Sequence, residues 1–345
     1  MLSRFHGFAL ISLSIAAACA TLPQMGDPGS TVMAVAETVP VGTVNEDAAD
    51  DPAIWRNAAD PSASLIVGTD KKAGLHVYNL KGEQLSFLAG AGLNNVDLIE
   101  LADGRVLVAA SDRADTASAH IHLSFLDTQT GTLTFAGRRS VGPGEGYGIC
   151  FGGVNDAGEV TIYSAPKEGF IYETRFNPDV ADTAQKTLTK VPSQPEGCVA
   201  DQRTDTLYIG EEAAGIWAID LATGSKQLVA ETGTGILVAD VEGLALAPEG
   251  ENGGYLVASS QGDNAYAVYT LPSMEPLGRF RIAQGVFGSA EETDGIELDP
   301  RSFGDEFPGG LFIAQDGVNP PNAQNFKYVR WDEILMALRP GPAIN

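Results

Sequence analysis

The chain has 345 residues and a formal charge of −24, with 45 acidic side chains against 21 lysines and arginines. So large an acidic excess excludes nucleic acid and anionic membrane surfaces as partners, because both would repel it. It leaves two origins open: a solvated surface that keeps an exported protein in solution, or carboxylates gathered to hold hard cations.

In chain order, the first element is an export signal. Arg4 and His6 precede an apolar run from Phe8 to Ala18, which ends in the small residues Ala16-Ala17-Ala18-Cys19-Ala20. A charged start, a short apolar stretch and a small-residue cleavage site predict a signal peptide over residues 1–20. Ordinary cleavage places the product in the periplasm or outside the cell, and lipidation of Cys19 is the alternative. The run is too short for a membrane anchor, and no later run is long enough. Residues 21–39, polar with glycine and proline, are expected to be a flexible leader. Residues 40–340 form one folded unit.

That unit contains a sixfold repeat. Short apolar strands ending in small or polar residues recur at Leu65–Asp70, Val106–Asp112, Val160–Ala165, Leu207–Glu211, Tyr255–Ser260 and Leu311–Asp316. The intervals are about 41 to 56 residues, the span of a four-stranded propeller blade. Each run is preceded by a strand with a polar or acidic opening: Asp50-Asp51-Pro52, Asn94-Asn95-Val96-Asp97, Glu145-Gly146-Tyr147-Gly148, Pro195-Glu196-Gly197-Cys198, Asp240-Val241-Glu242-Gly243 and Thr293-Asp294-Gly295. Alternating third strands such as Ile216-Trp217-Ala218-Ile219 and turns such as Thr223-Gly224 complete the unit. The one helical stretch is Trp331 to Leu338. The predicted fold is all-β, a six-bladed β-propeller. Cys150 and Cys198 fall in predicted strands, where small apolar packing is the expected role and pairing the alternative.

In a propeller the innermost strands surround one axis, so equivalent positions of the six blades converge at one mouth. The openings would bring Asp51, Asp97, Glu145, Glu196, Asp240, Glu242 and Asp294 together there. Crowded carboxylates repel one another, and a hard cation with an oxygen shell relieves that repulsion. The histidines His6, His76, His120 and His122 show no metal-ligand spacing, which disfavours zinc, so calcium is the expected ion. At the ends of the second strands, blades one to three carry Lys71-Lys72, Arg113 and Lys167, whereas blades four to six carry Glu211-Glu212, Gln261 and Asp316. A basic half-ring facing an acidic, metal-holding half-ring suits a small polyanion such as a phosphate ester.

These segments resemble the β-propeller phytases. Asp47-Ala48-Ala49-Asp50-Asp51-Pro52-Ala53-Ile54-Trp55 and Asn94-Asn95-Val96-Asp97 are similar to that family's two signature motifs. The likeness continues through Lys71-Lys72-Ala73-Gly74-Leu75, Glu196-Gly197, Asp240-Val241-Glu242-Gly243-Leu244, Ser259-Ser260-Gln261-Gly262, Asp294-Gly295-Ile296, Gln315-Asp316-Gly317 and Gln324-Asn325-Phe326-Lys327. The resemblance implies a monomeric 3-phytase with several calcium ions on its top face and calcium–phytate as substrate. A cleavage site and an adjacent affinity site would bind neighbouring phosphates.

Carried over by position, Glu196, Asp240, Glu242 and Asp294 would be calcium ligands, with Glu212 and Gln261 nearby and Asp51 on a more structural calcium. Lys71, Lys72, Arg113, Tyr147 and Lys167 would hold phosphate oxygens. The implied chemistry is attack of metal-activated water on phosphorus without a phospho-enzyme. Two positions depart from the family pattern: Ile99 where an arginine is usual, and Gly288 where a further aspartate ligand is common, for which Glu291 or Glu292 could substitute. The competing readings are a calcium-dependent propeller lactonase or esterase, and a non-catalytic calcium-stabilised binding propeller.

Overall fold

An apolar run with no polar alternation is a strand buried on both faces, and the repeat owes its legibility to six of them. In the computed structural model of the protein, which describes residues 25–339, these runs are the strands Leu65–Asp70, Val106–Asp112, Val160–Ala165, Thr206–Glu211, Gly253–Ser260 and Leu311–Asp316. Each lies second from the axis in a sheet of four or five strands. The expected signal peptide and Cys19 lie outside the described residues. The innermost strands are Ala49–Trp55, Leu93–Glu100, Gly148–Val154, Pro195–Asp201, Val241–Glu249 and Ile296–Asp299. Each touches the innermost strands of the blades before and after it, closing a circle. The fold is the expected six-bladed β-propeller.

Six hydrophobic cores lie between adjacent blades, and the two-residue period of each second strand divides its side chains between two of them. Ile66 packs in the core between blades six and one, whereas Leu65 and Val67 pack against blade two. Likewise Leu107 and Ala109 face blade three, and Val106, Val108 and Ala110 face blade one. The helix Trp331–Leu338 sits where the sequence predicts it. It seals the core between blades five and six with Trp331 and Ile334. Ile99, in the place of the family's arginine, packs against the core between blades two and three.

The leader expected over 21–39 begins to pair earlier than that. Ser30–Met33 adds a parallel fifth strand to blade five, and Ala36–Glu37 is the antiparallel outer strand of blade six. The start of the propeller thus supplies the outermost strand of its last blade, and the ring is closed by backbone hydrogen bonds. Lys327, fully buried, reinforces the closure by pairing with Glu37 and with Asp316 Oδ2 at 3.1 Å. A second correction concerns Cys150 and Cys198. They form a disulfide with Cα atoms 5.5 Å apart, joining the innermost strands of blades three and four. The repeat makes the two strands neighbours but does not show that these two positions face each other across them.

Candidate active site

The mouth of the channel is built by a repeated irregularity. In blades one, two, four and five the register of the innermost strand slips between Ala49 and Pro52, Leu93 and Val96, Pro195 and Cys198, and Val241 and Leu244. Each bulge leaves two residues outside the ladder: Asp50-Asp51, Asn94-Asn95, Glu196-Gly197 and Glu242-Gly243. Tyr147-Gly148 and Asp294-Gly295 hold the same place in blades three and six. The second residue of each pair lies against the backbone of the next blade. A Cβ on Gly148 would stand 2.1 Å from the Glu196 carbonyl, one on Gly197 2.2 Å from that of Glu242, and one on Gly295 2.7 Å from that of Asp50. Glycine is therefore required in these Glu-Gly and Asp-Gly pairs. The first residues, Asp50, Asn94, Tyr147, Glu196, Glu242 and Asp294, form a ring with one member from each blade.

On the acidic side, one carboxylate oxygen each from Glu196, Glu212 and Glu242 lie within 4.8 Å of one another. Burial pushes the carboxyls of Glu196 and Glu242 up, and for Glu242 the charge of Glu196 adds to it. Glu212 is pushed up to about 7 by burial and by the charges of Glu196 and Asp240. Glu242 Oε2 and Asn94 Oδ1 are buried acceptors with no donor among the described residues. An all-oxygen cluster with strong mutual repulsion and orphaned acceptors fits a hard divalent cation. Asp240 is exposed on the rim, its backbone carbonyl accepting from Gln261 N–H at 3.0 Å.

The corner between blades six and one holds a cation of the chain's own. Lys71 is buried, with Nζ 2.9 Å from Asp47 Oδ2, 2.9 Å from Asp50 Oδ1 and 3.1 Å from Asp294 Oδ2. Gln261 Nε2 donates to Asp294 Oδ1 at 2.7 Å, and Gln315 Oε1 accepts from Asp294 N–H at 2.9 Å. Gln324 Oε1 accepts from Ala48 and Ala49 N–H at 2.6 and 2.8 Å, which fixes the segment carrying Asp47 and Asp50. Beside this corner a cleft of about 420 Å3 is lined by Asp47, Gln261, Asn264, Glu292, Asp294 and Gln324. Glu292 lines it with Asp294, whereas Gly288 lies by the Lys327 ammonium, to which a Cβ there would approach within 3.1 Å.

The basic side is made by blades two and three. Tyr147 presents its ring to Lys167 Nζ at 4.6 Å and to the Arg113 guanidinium at 5.9 Å from the centroid. Burial raises its hydroxyl and the nearby charge of Glu196 raises it further, so Tyr147 stands beside both halves of the mouth. Lys72 is exposed and has no acidic partner among the described residues.

Several expected members stand elsewhere. Asp51 is the second residue of its bulge and points along the channel, accepting from Val96 N–H at 3.0 Å. There it lines a cavity of about 40 Å3 with Asp97 and Glu297. Asp97 belongs to the ladder below its bulge, accepts from Phe151 N–H at 2.7 Å, and is pushed up to about 6 by burial. Glu145 leaves the acidic ring and joins the basic side, Oε1 lying 3.1 Å from Lys167 Nζ and 3.7 Å from Arg113 Nη1. Glu211 is taken within its own blade, accepting from Trp217 Nε1 at 2.7 Å, and Asp316 is taken by Lys327. Sequence reading missed Asp47, Asp50, Asn94 and Glu297. Aligning the openings on the bulge, with Asp50 and Asn94 set against Glu196 and Glu242, would have found two of them.

Comparison with known proteins agrees with this geometry. The family model described as Phytase matches residues 5–345. The chain is 34% identical over 342 residues to the 3-phytase of Bacillus subtilis (strain 168), covering 91% of this chain and 87% of that protein. With a match across nearly its whole length, the chain belongs to the phytase family.

Proposed function

We propose that this protein is a calcium-dependent 3-phytase that releases phosphate from myo-inositol hexakisphosphate. The observation that carries the reading is the divided mouth. A crowded carboxylate cluster at Glu196, Glu212 and Glu242 lies near enough to Tyr147 to add its charge to the burial that raises that phenol, and the same ring carries a cation pair, Arg113 and Lys167. A lactonase would use the first half and have no use for the second. Glu196, Glu212, Asp240, Glu242, Gln261 and Asp294 would hold calcium at the mouth, and Asp51 a more structural calcium in the channel.

When bound there, calcium supplies Lewis acidity that draws charge from phosphoryl oxygens and makes water a better nucleophile. The chain's own contribution is binding and orientation. Arg113 offers a planar fork to two phosphoryl oxygens and Lys167 a point charge beside it. Tyr147 holds both cations beside its ring. Lys72, exposed on the same side, is free to meet a neighbouring phosphate, and Lys71 acts from within by holding Asp47, Asp50 and Asp294 together. The Cys150–Cys198 bond supports export to an oxidising compartment, the periplasm or the medium.

The test is release of inorganic phosphate from phytate in calcium, in excess chelator, and after calcium is restored. Release should vanish in chelator and return with calcium. Undiminished release in chelator would remove calcium from the reaction, and no release under any condition would remove phytate as substrate.

A further inference from the structure

Glu145 is an anion placed where the substrate reading needs an anion to arrive. One oxygen of its carboxylate bridges the two cations of the basic side, 3.1 Å from Lys167 Nζ and 3.7 Å from Arg113 Nη1. All three side chains are partly exposed, so the bridge faces solvent. Its main chain is fixed independently: Glu145 N–H donates to Glu168 Oε2 at 3.0 Å, and Lys167 N–H donates to the Glu145 carbonyl at 3.2 Å. The flanking glycines hold the segment close to its neighbours. Gly144 has φ +121°, and a Cβ on Gly146 would stand 2.6 Å from the Asp112 carbonyl. The side chain alone can therefore swing out while the backbone stays in place.

Resting on the phytase reading, we infer that the Glu145 carboxylate is an internal stand-in for a phosphoryl group. It holds Arg113 and Lys167 at a common oxygen before substrate binds and competes with incoming anions for them. A singly charged carboxylate is displaced readily by a phosphoryl dianion and poorly by monovalent anions, so Glu145 sets a threshold of charge for entry. It also returns to the cations as product phosphate leaves. Glu145 is thus a positioning residue with a cost to affinity: the apparent dissociation constant of an anion rises by the fraction of time the clamp is occupied from within.

The experiment compares wild type, Glu145→Gln and Glu145→Asp in the full exported chain. Inorganic phosphate is titrated calorimetrically at a calcium concentration below its precipitation limit, and KM and kcat for phytate are measured alongside. Removing the competitor in Glu145→Gln should tighten phosphate binding and lower KM together by roughly three- to tenfold, the size that two partly exposed ion pairs support. The value of kcat should not rise. Glu145→Asp keeps the charge on a shorter stem and should fall between the two. Chloride should compete with phosphate more strongly in Glu145→Gln than in wild type. Unchanged or weaker phosphate binding in Glu145→Gln overturns the proposal, because a residue that merely supports the clamp would loosen it when removed. If Glu145→Gln fails to fold, the Glu145→Asp titration decides alone: tighter binding supports the proposal, unchanged or weaker binding overturns it. Phosphate binding is read without turnover, so failure of phytate hydrolysis in wild type would be seen separately.

Discussion

Lys71 Nζ lies 2.9 Å from Asp50 Oδ1, and both side chains are almost wholly buried. A cation so placed, with Asp47 and Asp294 also within reach, offsets part of the repulsion among three carboxylates. Removing one partner of a buried ion pair leaves an uncompensated charge and costs about 3–5 kcal/mol. Lys71→Met should therefore lower stability in chelator by about that amount, with calcium recovering part of the loss. Urea unfolding with and without calcium measures both. A variant with unchanged stability and a raised KM would instead make Lys71 a simple phosphate contact.

The buried carboxyls make stability depend on pH in a definite direction. Glu212 is pushed up from 4.5 to about 7 chiefly by burial, and Asp97 from 3.8 to about 6 for the same reason. For an acid whose folded value is raised, the native state keeps a proton that the unfolded chain has already released, so stability falls as pH rises between the two values. In chelator the melting temperature should decline from about pH 4 to pH 7. Asp70 and Asp263 are lowered, by hydrogen bonds that outweigh their burial, and their contribution is lost only below their ordinary 3.8, outside this window. His122, lowered by burial, opposes the trend below 6.5 as a single group against several raised carboxyls. Calcium needs ionised ligands, so its stabilisation should grow over the same interval. Thermal melts across this range decide the matter: a chelator curve that is flat or rises would mean that these acids are not held protonated by the fold.

Much of this architecture was legible in the sequence because its signals are local. The second strands announce themselves by being buried on both faces, as Ile66 and Val67 show by entering different cores. The Glu-Gly and Asp-Gly pairs are visible because Gly197, Gly243 and Gly295 must admit the next blade's backbone. What was not legible depends on partners distant in the chain. Ser30–Met33 and Ala36–Glu37 are short and of mixed polarity, and become strands only against Phe280–Ala283 and Lys327–Tyr328. The bulge register shifts which carboxylate reaches the mouth, favouring Asp50 over Asp51 and leaving Asp97 in the channel. Glu145 carries the same charge as Glu196 yet sits with the cations, a difference no composition reveals.

The glycines of the mouth give a test of the ring itself. A Cβ on Gly197 would stand 2.2 Å from the Glu242 carbonyl and 2.7 Å from Leu244 Cγ, both in the next blade's innermost strand. Overpacking of this kind costs about 1–3 kcal/mol, and a shift of about 1 Å in a catalytic group costs on the order of a hundredfold in rate. Gly197→Ala should therefore lose both stability and phosphate release. Gly42→Ala, where a Cβ meets nothing within 4 Å, should change stability by no more than about 0.5 kcal/mol. Equal behaviour of the two variants in melting and turnover would mean that the blades do not need this close approach.

Arg113 separates a phosphate enzyme from other calcium propellers. Its guanidinium stands 5.9 Å from the Tyr147 ring centroid and 3.7 Å from Glu145 Oε1, partly open to solvent. Among the described residues no buried acid depends on it, so its loss should leave the fold intact. If it grips a phosphoryl group, its contribution grows as charge gathers on the equatorial and leaving oxygens. Arg113→Ala should lower kcat/KM by roughly a hundredfold, about 3 kcal/mol. Arg113→Lys should recover only part of this, since a charge returns but the fork does not. Lys167→Ala, which removes a point charge from the same ring, should cost less than Arg113→Ala. Phosphate release from calcium–phytate and thermal unfolding, measured together for the three variants, provide the check. Near wild-type turnover in Arg113→Ala would place the phosphoryl group elsewhere, and lost turnover matched by a collapsed melting curve would make Arg113 a structural residue.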